Sequence, residues 1–342
     1  MTWRMNTMLN KKEWLEKIEV EKKNSMPILT FPAIQLFGIT VKQLVSSSDL
    51  QAKVMAAIAE KYPVSAVLSM MDLSVEAEEF GATVRFFDMD VPTVTGRVIN
   101  DMDAAKKLMV PLLGGKRTLQ YVEGIRKAKA LIPDKPIFAG VIGPFSLAGR
   151  LMDMTEIMVN CYLEPEMVHI TLEKATEFII KYIKAFKLAG ADGVVMAEPA
   201  AGLLSPEICE EFSSRYIRRI VKETADDKFV FVYHNCGNTI PLHETIASIN
   251  ADIYHFGDAI DLEEMLKVFP ADKLVMGNIS PARVIRNLEP KKIKEEVTNL
   301  LKRCSKYENF SISTGCDIPP MTPLENIEAY FSAISEYYDK HQ

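Results

Sequence analysis

The sequence predicts an α/β fold, a (β/α)8 TIM barrel with an N-terminal helical extension over residues 1–26. Short, nearly continuous apolar runs alternate with longer amphipathic stretches from about residue 27 onward, and the runs number eight. Apolar residues throughout a run are typical of strands in a parallel sheet covered by helices, and a count of eight favours closure into a barrel. We therefore expect a single barrel domain over residues 27–342.

The eight predicted strands are bounded by turn-forming or polar residues. In chain order they are PILTFPA from Pro27, SAVLSMMD ending at Asp72, PIFAGVIGPF from Pro136, GVVMAEP ending at Pro199, KFVFVYHNC ending at Cys236, DIYHFGD ending at Asp258, KLVMGNIS ending at Ser280 and FSISTGC ending at Cys316. The stretches between them predict helices. One example is residues 167–190, where apolar residues recur every three or four positions up to Gly190.

The long interval between Asp72 and Pro136 predicts an acidic helix, followed by a loop or small hairpin over the barrel mouth. An open doubly wound sheet is the alternative fold. No G-x-G-x-x-G motif follows the first predicted strand, however, to support the dinucleotide site of that fold.

The composition limits the possible functions. Of the 342 residues, 48% are hydrophobic and 25% charged, which is typical of a globular protein with a large core. The net charge of -6 argues against nucleic acid as the main partner, because phosphate binding needs a basic surface. The first residues do not resemble a signal peptide, and no run approaches the roughly 20 apolar residues of a membrane span. We expect a cytoplasmic protein that acts on a small molecule or on another protein.

Polar residues collect at the ends of the predicted strands. They are Asp72, Glu198, His234, Cys236, His255, Asp258, Asn278 and Cys316. In a barrel these ends face one mouth, where barrel enzymes carry their active sites.

The pair His234 and Cys236 raises the question of a metal site. Side chains two apart on a strand point to the same face, so both would project into the barrel together. Imidazole and thiolate are preferred zinc ligands, although a buried thiol is also common packing. Cys316 favours the metal, because the fifth and eighth strands can face each other across the mouth, and three ligands with an open fourth position describe a catalytic zinc site. The other cysteines, Cys161, Cys209 and Cys304, fall in helical patterns and are interpreted as packing residues.

A zinc ion held by two thiolates suits one kind of chemistry. Two anionic sulfurs weaken its power to activate water but allow it to bind a substrate thiol, whose pKa the metal lowers. Alkyl transfer to sulfur is therefore favoured over hydrolysis.

Several motifs resemble one known family. The H-x-C pair and the later GCDIPPMTPLENI, with GVIGPFSLAGRLM, MAEPAAGLLSPEICEEF and LVMGNISP, resemble the uroporphyrinogen decarboxylase superfamily and specifically its zinc-dependent methylcobamide:coenzyme M methyltransferase branch. The resemblance implies zinc bound by His234, Cys236 and Cys316. It also implies a methylated corrinoid protein as partner and methyl donor, and a small thiol or a pterin such as tetrahydrofolate as acceptor.

Further residues are candidates on weaker grounds. Asp258 is the expected fourth ligand, with His255 as runner-up, although Asp258 could equally cap the next helix. Asp72 falls where the decarboxylases of this superfamily place an important aspartate, and it either orients substrate or caps a helix. Glu198 follows an apolar strand and needs either a function or a cation to justify its burial.

Two other functions remain open. The arginine-bearing N-terminal signature of true uroporphyrinogen decarboxylases is absent, which argues against, without excluding, a metal-free decarboxylase-like lyase. A non-catalytic module that binds a corrinoid protein is the second alternative. The acceptor, the original methyl source, the fourth zinc ligand and the oligomeric state cannot be read from the sequence.

Overall fold

The sheet at the centre of the fold carries seven parallel strands. The computed structural model describes residues 9–340. Its strands are β1 (Val67–Leu68), β2 (Thr83–Arg85), β3 (Thr93–Thr95), β4 (Ile137–Ile142), β5 (Gly193–Ala197), β6 (Val230–Asn235), β7 (Ile253–Phe256), β8 (Leu274–Ile279) and β9 (Phe310–Thr314). The order β1-β4-β5-β6-β7-β8-β9 forms the curled sheet, and seven of the eight predicted strands are found in it.

Helices follow the strands and cover the outer face of the sheet. They are α1 (Lys11–Val20), α2 (Val41–Val45), α3 (Ser48–Lys61), α4 (Val75–Glu79), α5 (Met102–Lys107), α6 (Thr118–Leu131), α7 (Pro144–Met152), α8 (Met154–Leu163), α9 (Pro165–Ala189), α10 (Pro206–Cys209), α11 (Arg215–Thr224), α12 (His243–Ala247), α13 (Leu262–Val268), α14 (Pro290–Cys304) and α15 (Leu324–Lys340). Short 3-10 turns span Phe31–Leu36, Pro199–Leu203 and Ile240–Leu242, and π-turns span Glu210–Ser214 and Pro281–Arg286. Among the described residues, no helix is both long and apolar enough to cross a membrane.

The prediction of a complete eight-stranded barrel is wrong at its first strand. Residues 26–29 have no regular secondary structure and do not join the sheet as a strand, although Ser25 bridges to Val64. Pro27 has no N–H to donate to a neighbouring strand, so a regular ladder is interrupted there. Side-chain hydroxyls replace the missing contacts: Ser25 donates to the carbonyl of Ile312, and Thr30 donates to that of Leu68. This segment therefore lies between β1 and β9.

Alternate side chains of the sheet face two different cores. One core lies inside the curl and contains Leu68, Phe138, Val195, Val230, Val232, Ile253 and Leu274. Their neighbours along the strands, such as Phe231 and Tyr254, belong to the larger core beneath the helices. This alternation decides which residues near the strand ends can face the mouth.

Helix α1 packs against the opposite end of the curl from the mouth. Trp14 and Ile18 are buried in the inner core, and the Trp14 ring lies 5.2 Å from that of Phe138. Trp14 Nε1 also donates to the carbonyl of Ser65. The predicted extension over residues 1–26 thus contains a helix only at Lys11–Val20, and residues 1–8 lie outside the described part of the chain.

The long interval after β1 contains a small antiparallel hairpin. Strands β2 and β3 pair at Val84 and Val94, preceded by the short acidic helix α4. Residues 90–93 of this hairpin line the cavity at the mouth. The hairpin predicted from the sequence therefore lies where it can shape access to the centre of the fold.

Candidate metal centre

Three potential metal ligands meet at the mouth. His234 lies two residues after Val232 on β6, so its side chain points to the same face as the inner-core residues Val230 and Val232. Cys236 follows two residues later. Cys316 follows the end of β9 and approaches from the other side. One ligand atom from each residue lies within 4.8 Å of the others, and the structure brings these three predicted ligands together. We call them the His-Cys-Cys site.

Close packing of the backbone permits this approach. A Cβ placed on Gly257 would lie 2.4 Å from the Cα of Cys236, much closer than real atoms approach. Only glycine can therefore occupy the position after β7 beside Cys236.

The two thiols of the site share one proton. The pKa of Cys236 is lowered to about 4, mainly because its sulfur accepts a hydrogen bond from Cys316, and His234 acts in the same direction. The pKa of Cys316 is raised well above its usual value because it donates this bond and is buried. A divalent cation can replace such a shared proton, since metal binding requires deprotonated sulfurs.

A chain of hydrogen bonds sets the tautomer of His234. Ser313 donates to the carbonyl of Met26, so its oxygen accepts from Nε2–H of His255, 2.8 Å away. Nδ1 of His255 then accepts from Nδ1–H of His234, also at 2.8 Å. Burial lowers the pKa of His255 well below its usual value, which keeps its ring neutral. Nδ1 of His234 is thereby engaged, which leaves Nε2, on the side of Cys236, as the ring nitrogen whose lone pair can bind a metal in place of a proton.

The donor set fits zinc. One neutral imidazole and two sulfurs that share a single proton are soft, borderline ligands, and three protein ligands leave one tetrahedral position free. That side adjoins a cavity of about 360 Å³, which we call the mouth cavity. The ring of His234 is buried, but Cys236 and Cys316 are only partly buried, so a substrate atom can approach their sulfurs.

Asp258 is not among the three grouped ligands, and its role as a fourth ligand stays a prediction. It follows the end of β7, and its Oδ1 would lie 3.1 Å from a Cβ placed on Gly315, beside Cys316. Its carboxylate lies 3.9 Å from Arg283 and does not line the mouth cavity. His255 also lies outside the cavity, behind His234, where it orients that ring and leaves no atom of its own for the metal.

Asp72 is part of a buried polar network beside the mouth. It accepts hydrogen bonds from Arg117, from Tyr121 at 2.7 Å and from the hydroxyl of Ser74 at 2.6 Å. It is absent from the lining of the mouth cavity. Asp72 therefore has structural partners within the protein, and its role in orienting a substrate stays a prediction.

Glu198 stabilises the start of a helix. Its carboxylate accepts from the backbone N–H of Phe145 at 3.0 Å and of Ser146 at 2.6 Å, the first turn of α7. The helix has no capping side chain at Gly143, so Glu198 supplies this contact from β5. Helix N–H groups, not a cation, thus account for a carboxylate that is fully buried.

We expect the Glu198→Gln substitution to remove a pH dependence of stability. Burial raises the pKa of Glu198 to about 7, from an ordinary value of 4.5. Between these values the folded carboxyl keeps its proton while the unfolded one loses it, so the wild type loses about 3 kcal/mol of stability from this group as pH rises. Glutamine does not titrate, so the wild-type advantage over the variant should shrink by about that amount between pH 4.5 and 7.5.

Chemical unfolding at pH 5 and pH 8 measures this difference. Glu166→Gln is the matched control, because Glu166 is exposed on α9. If the stability of the Glu198→Gln variant changes with pH in parallel with that of the wild type, the raised pKa of Glu198 is contradicted.

Four charged residues line the mouth cavity and were not candidates in the sequence analysis, namely Asp90, Arg150, Arg286 and Asp317. Arg150, on α7, lines the cavity, and burial lowers its pKa below the usual value. Asp317 also lines it, and burial raises its pKa well above the usual range. The position of Asp317 in the sequence, between the predicted ligand Cys316 and the apolar stretch Ile318 to Pro320, could have indicated that it lies at the mouth. Nothing local indicated that Arg150 faces the mouth.

The fold and the site together define a class of protein, a parallel α/β barrel-type fold in which a His-Cys-Cys group that could hold a metal ion lies at the carboxyl ends of the strands. Comparison with known families is consistent with this class. The family model described as uroporphyrinogen decarboxylase (URO-D) matches residues 29–337. The chain therefore belongs to the uroporphyrinogen decarboxylase family.

Within this family the chain is similar to methyltransferases. It is 29% identical to methylcobamide:CoM methyltransferase MtaA of Methanosarcina barkeri, over 86% of this chain and 86% of the relative. It is 27% identical to the methylated-thiol–coenzyme M methyltransferase of Methanosarcina mazei, over 84% and 77%. A solved structure of a methyltransferase from Methanosarcina mazei superposes with a TM-score of 0.84 at 25% identity, over 97% of this chain and 100% of that one. Uroporphyrinogen decarboxylases also match, for example that of Coxiella burnetii at 24% identity.

Proposed function

We propose that the protein is a zinc-dependent methyltransferase, which moves a methyl group from a methylated corrinoid protein to a small thiol. The observation that carries this proposal is the His-Cys-Cys site, whose open side faces the mouth cavity. The names of the methyltransferase relatives support the reaction class. Residues 27–342 act in this proposal as a single barrel domain.

Each residue of the site has a separate task in the reaction. His234 holds its lone pair toward the metal through the bonds to His255, and the two sulfurs supply negative charge. Zinc, when bound there, supplies a Lewis acid that lowers the pKa of a substrate thiol to below neutral pH. The walls of the cavity hold the sulfur of the acceptor in line with the methyl carbon of the donor, which lowers the entropic part of the barrier.

The bonds and electrons of the methyl transfer balance between the thiol and the methylated corrinoid. The thiol gives up its proton to solvent, and its sulfur forms a bond to the methyl carbon. The cobalt–carbon bond of the methylated corrinoid breaks, and its electron pair stays on the cobalt, which changes from Co(III) to Co(I). No further oxidant or reductant is needed.

The rim of the mouth supports docking of the corrinoid donor. Large apolar side chains are exposed in the hairpin and in the segments after the predicted first strand, β5 and β9, namely Met89, Phe37, Leu203 and Met321, with Leu203 72% exposed. Exposed apolar side chains are available to a partner surface. A flat corrin ring presented by a partner protein could cover them.

Positive charge in the mouth cavity favours an acidic acceptor. Arg150 and Arg286 both line the cavity, and neither forms an ion pair within residues 9–340. A guanidinium without a partner carboxylate is suited to bind a carboxylate or sulfonate of a substrate. A thiol with an acidic group therefore fits better than a neutral thiol, and tetrahydrofolate remains the alternative acceptor.

The proposal is tested by zinc analysis followed by an acceptor screen. We expect stoichiometric zinc in the purified protein and loss of the methylcobalamin absorbance when an acidic thiol is added. Protein without zinc that decarboxylates porphyrinogens would favour the lyase alternative. Binding of a corrinoid protein without demethylation, for every acceptor including tetrahydrofolate, would favour the non-catalytic module.

We expect Arg150→Met to weaken the binding of acidic thiols. Loss of a hydrogen bond to a charged group costs about 1.5–3 kcal/mol, so KM for a thiol with a carboxylate or sulfonate should rise about 10- to 100-fold. KM for 2-mercaptoethanol should change much less, because that thiol carries no charge. Arg283→Met is the control, since the side chain of Arg283 is 77% exposed. Equal KM changes for charged and neutral thiols would contradict the role of Arg150.

A further inference from the structure

We infer that the acceptor thiol carries a protonated amine as well as an acidic group, and that Asp317 accepts hydrogen bonds from this amine. The inference rests on the proposed function and names the class of its acceptor, an amino-acid-type thiol. Coenzyme M has a sulfonate and no amine, and it would leave Asp317 without a partner.

Asp317 is a partly buried carboxylate, one oxygen of which lacks a hydrogen-bond partner among the described residues. It lines the mouth cavity, and its Oδ1 has no hydrogen-bond partner within residues 9–340. No lysine, arginine or histidine of that part of the chain forms an ion pair with it. Buried polar groups are almost always satisfied, and leaving one unsatisfied is costly. A ligand that fills the cavity can supply the missing donor.

The position of Asp317 places that donor close to the reacting sulfur. Asp317 follows Cys316 directly, so their Cα atoms are about 3.8 Å apart. A thiol bound at the open side of the His-Cys-Cys site would have its first carbons beside this carboxylate. An amine on one of those carbons lies within reach of Asp317.

The loop that carries Asp317 is held by several hydrogen bonds. The N–H of Ile318 donates to the carbonyl of Ile28 at 2.9 Å. The side chain of Gln35 donates to the carbonyls of Pro320 at 3.1 Å and of Thr322 at 2.8 Å. Two consecutive prolines, Pro319 and Pro320, further restrict the backbone. Because this loop is fixed before the ligand arrives, Asp317 can select among ligands at a low entropic cost.

The charges of the cavity are arranged for a substrate with both signs. Asp317 does not pair with Arg150 or Arg286, although all three line the same cavity. The charges nearest to Arg150 are those of Asp72 and Glu76 instead. A ligand with an anionic end toward the arginines and an ammonium toward Asp317 complements both groups. A site built to hydrogen-bond one polar group discriminates strongly against analogues that lack it.

The test compares matched acceptors with the zinc-loaded full chain and methylcobalamin as donor. Homocysteine is compared with 4-mercaptobutyrate, which has the same carbon chain and carboxylate but no amine. We expect kcat/KM to favour homocysteine at least about 10-fold in the wild type, and also to favour it over coenzyme M. In Asp317→Asn this preference should fall about 10- to 100-fold, because the amide cannot balance the ammonium charge.

Asp103→Asn is the matched control, because Asp103 is exposed on α5, does not line the mouth cavity and should leave the preference unchanged. Three results would overturn the inference while leaving the methyltransferase proposal intact: equal rates for the two acceptors in the wild type, an unchanged preference in Asp317→Asn, or loss of zinc from that variant, which would mark Asp317 as a metal ligand. If Asp317→Asn does not fold, two comparisons in the wild type decide: homocysteine against 4-mercaptobutyrate, and cysteine against 3-mercaptopropionate. If no thiol at all removes the methyl group, the proposed function itself fails.

Discussion

Replacing Cys316 by alanine is expected to remove zinc and to lower methyl transfer on the order of 10³-fold or more, because Lewis-acid activation is worth several kcal/mol. Only His234 and Cys236 would remain, and two ligands do not hold zinc tightly. Cys236→Ala should have the same effect for the same reason. Zinc content by elemental analysis and the rate of methylcobalamin demethylation measure the two losses.

Cys161→Ala is the control for this experiment, because Cys161 is a buried thiol on α8 that is distant in sequence from the site. It should retain zinc and most of its activity. A Cys316→Ala protein with stoichiometric metal and a normal rate would refute the His-Cys-Cys site.

The substitution Arg117→Met is expected to lower the free energy of unfolding by about 3–5 kcal/mol. Arg117 pairs with Asp72 and with Glu78 at the start of α6, and its guanidinium also lies over the ring of Phe86. Removal of this cation leaves the fully buried side chain of Asp72 as an uncompensated charge, which is the costly case.

An exposed arginine on the same helix provides the comparison. Arg126 pairs with Glu123 at the surface, and Arg126→Met should cost less than about 1 kcal/mol. Chemical unfolding of both variants measures the contrast. Equal losses of stability would show that Asp72 is not held by Arg117.

The grouping of His234, Cys236 and Cys316 at the mouth was accessible to prediction because simple periodicity governs it. A spacing of two along β6 places His234 and Cys236 on one face, and closure of the sheet brings Cys316 across. The rule does not reach Asp258, which lies beyond the end of β7, and its role as a fourth ligand stays a prediction.

Other features depend on contacts that no local pattern encodes. Arg150 lies in the last turn of α7, and only the three-dimensional position of this helix decides whether the side chain meets solvent or the mouth. Glu198 was noticed as a buried carboxylate, but its partners belong to a helix 50 residues earlier, at Phe145 and Ser146. The first predicted strand failed because Pro27 removes a hydrogen-bond donor that an apolar pattern does not register.

The chain of hydrogen bonds behind His234 ends at the backbone of Met26, in the segment that lies between the two outer strands. Assembly of the metal site therefore depends on the first and last parts of the fold meeting. Until residues 25–30 dock beside β9, Ser313 lacks its acceptor, and both imidazole rings are free to exchange tautomers. We expect zinc to be acquired at full affinity only after this docking, so that metal uptake reports the completion of folding and is not its trigger.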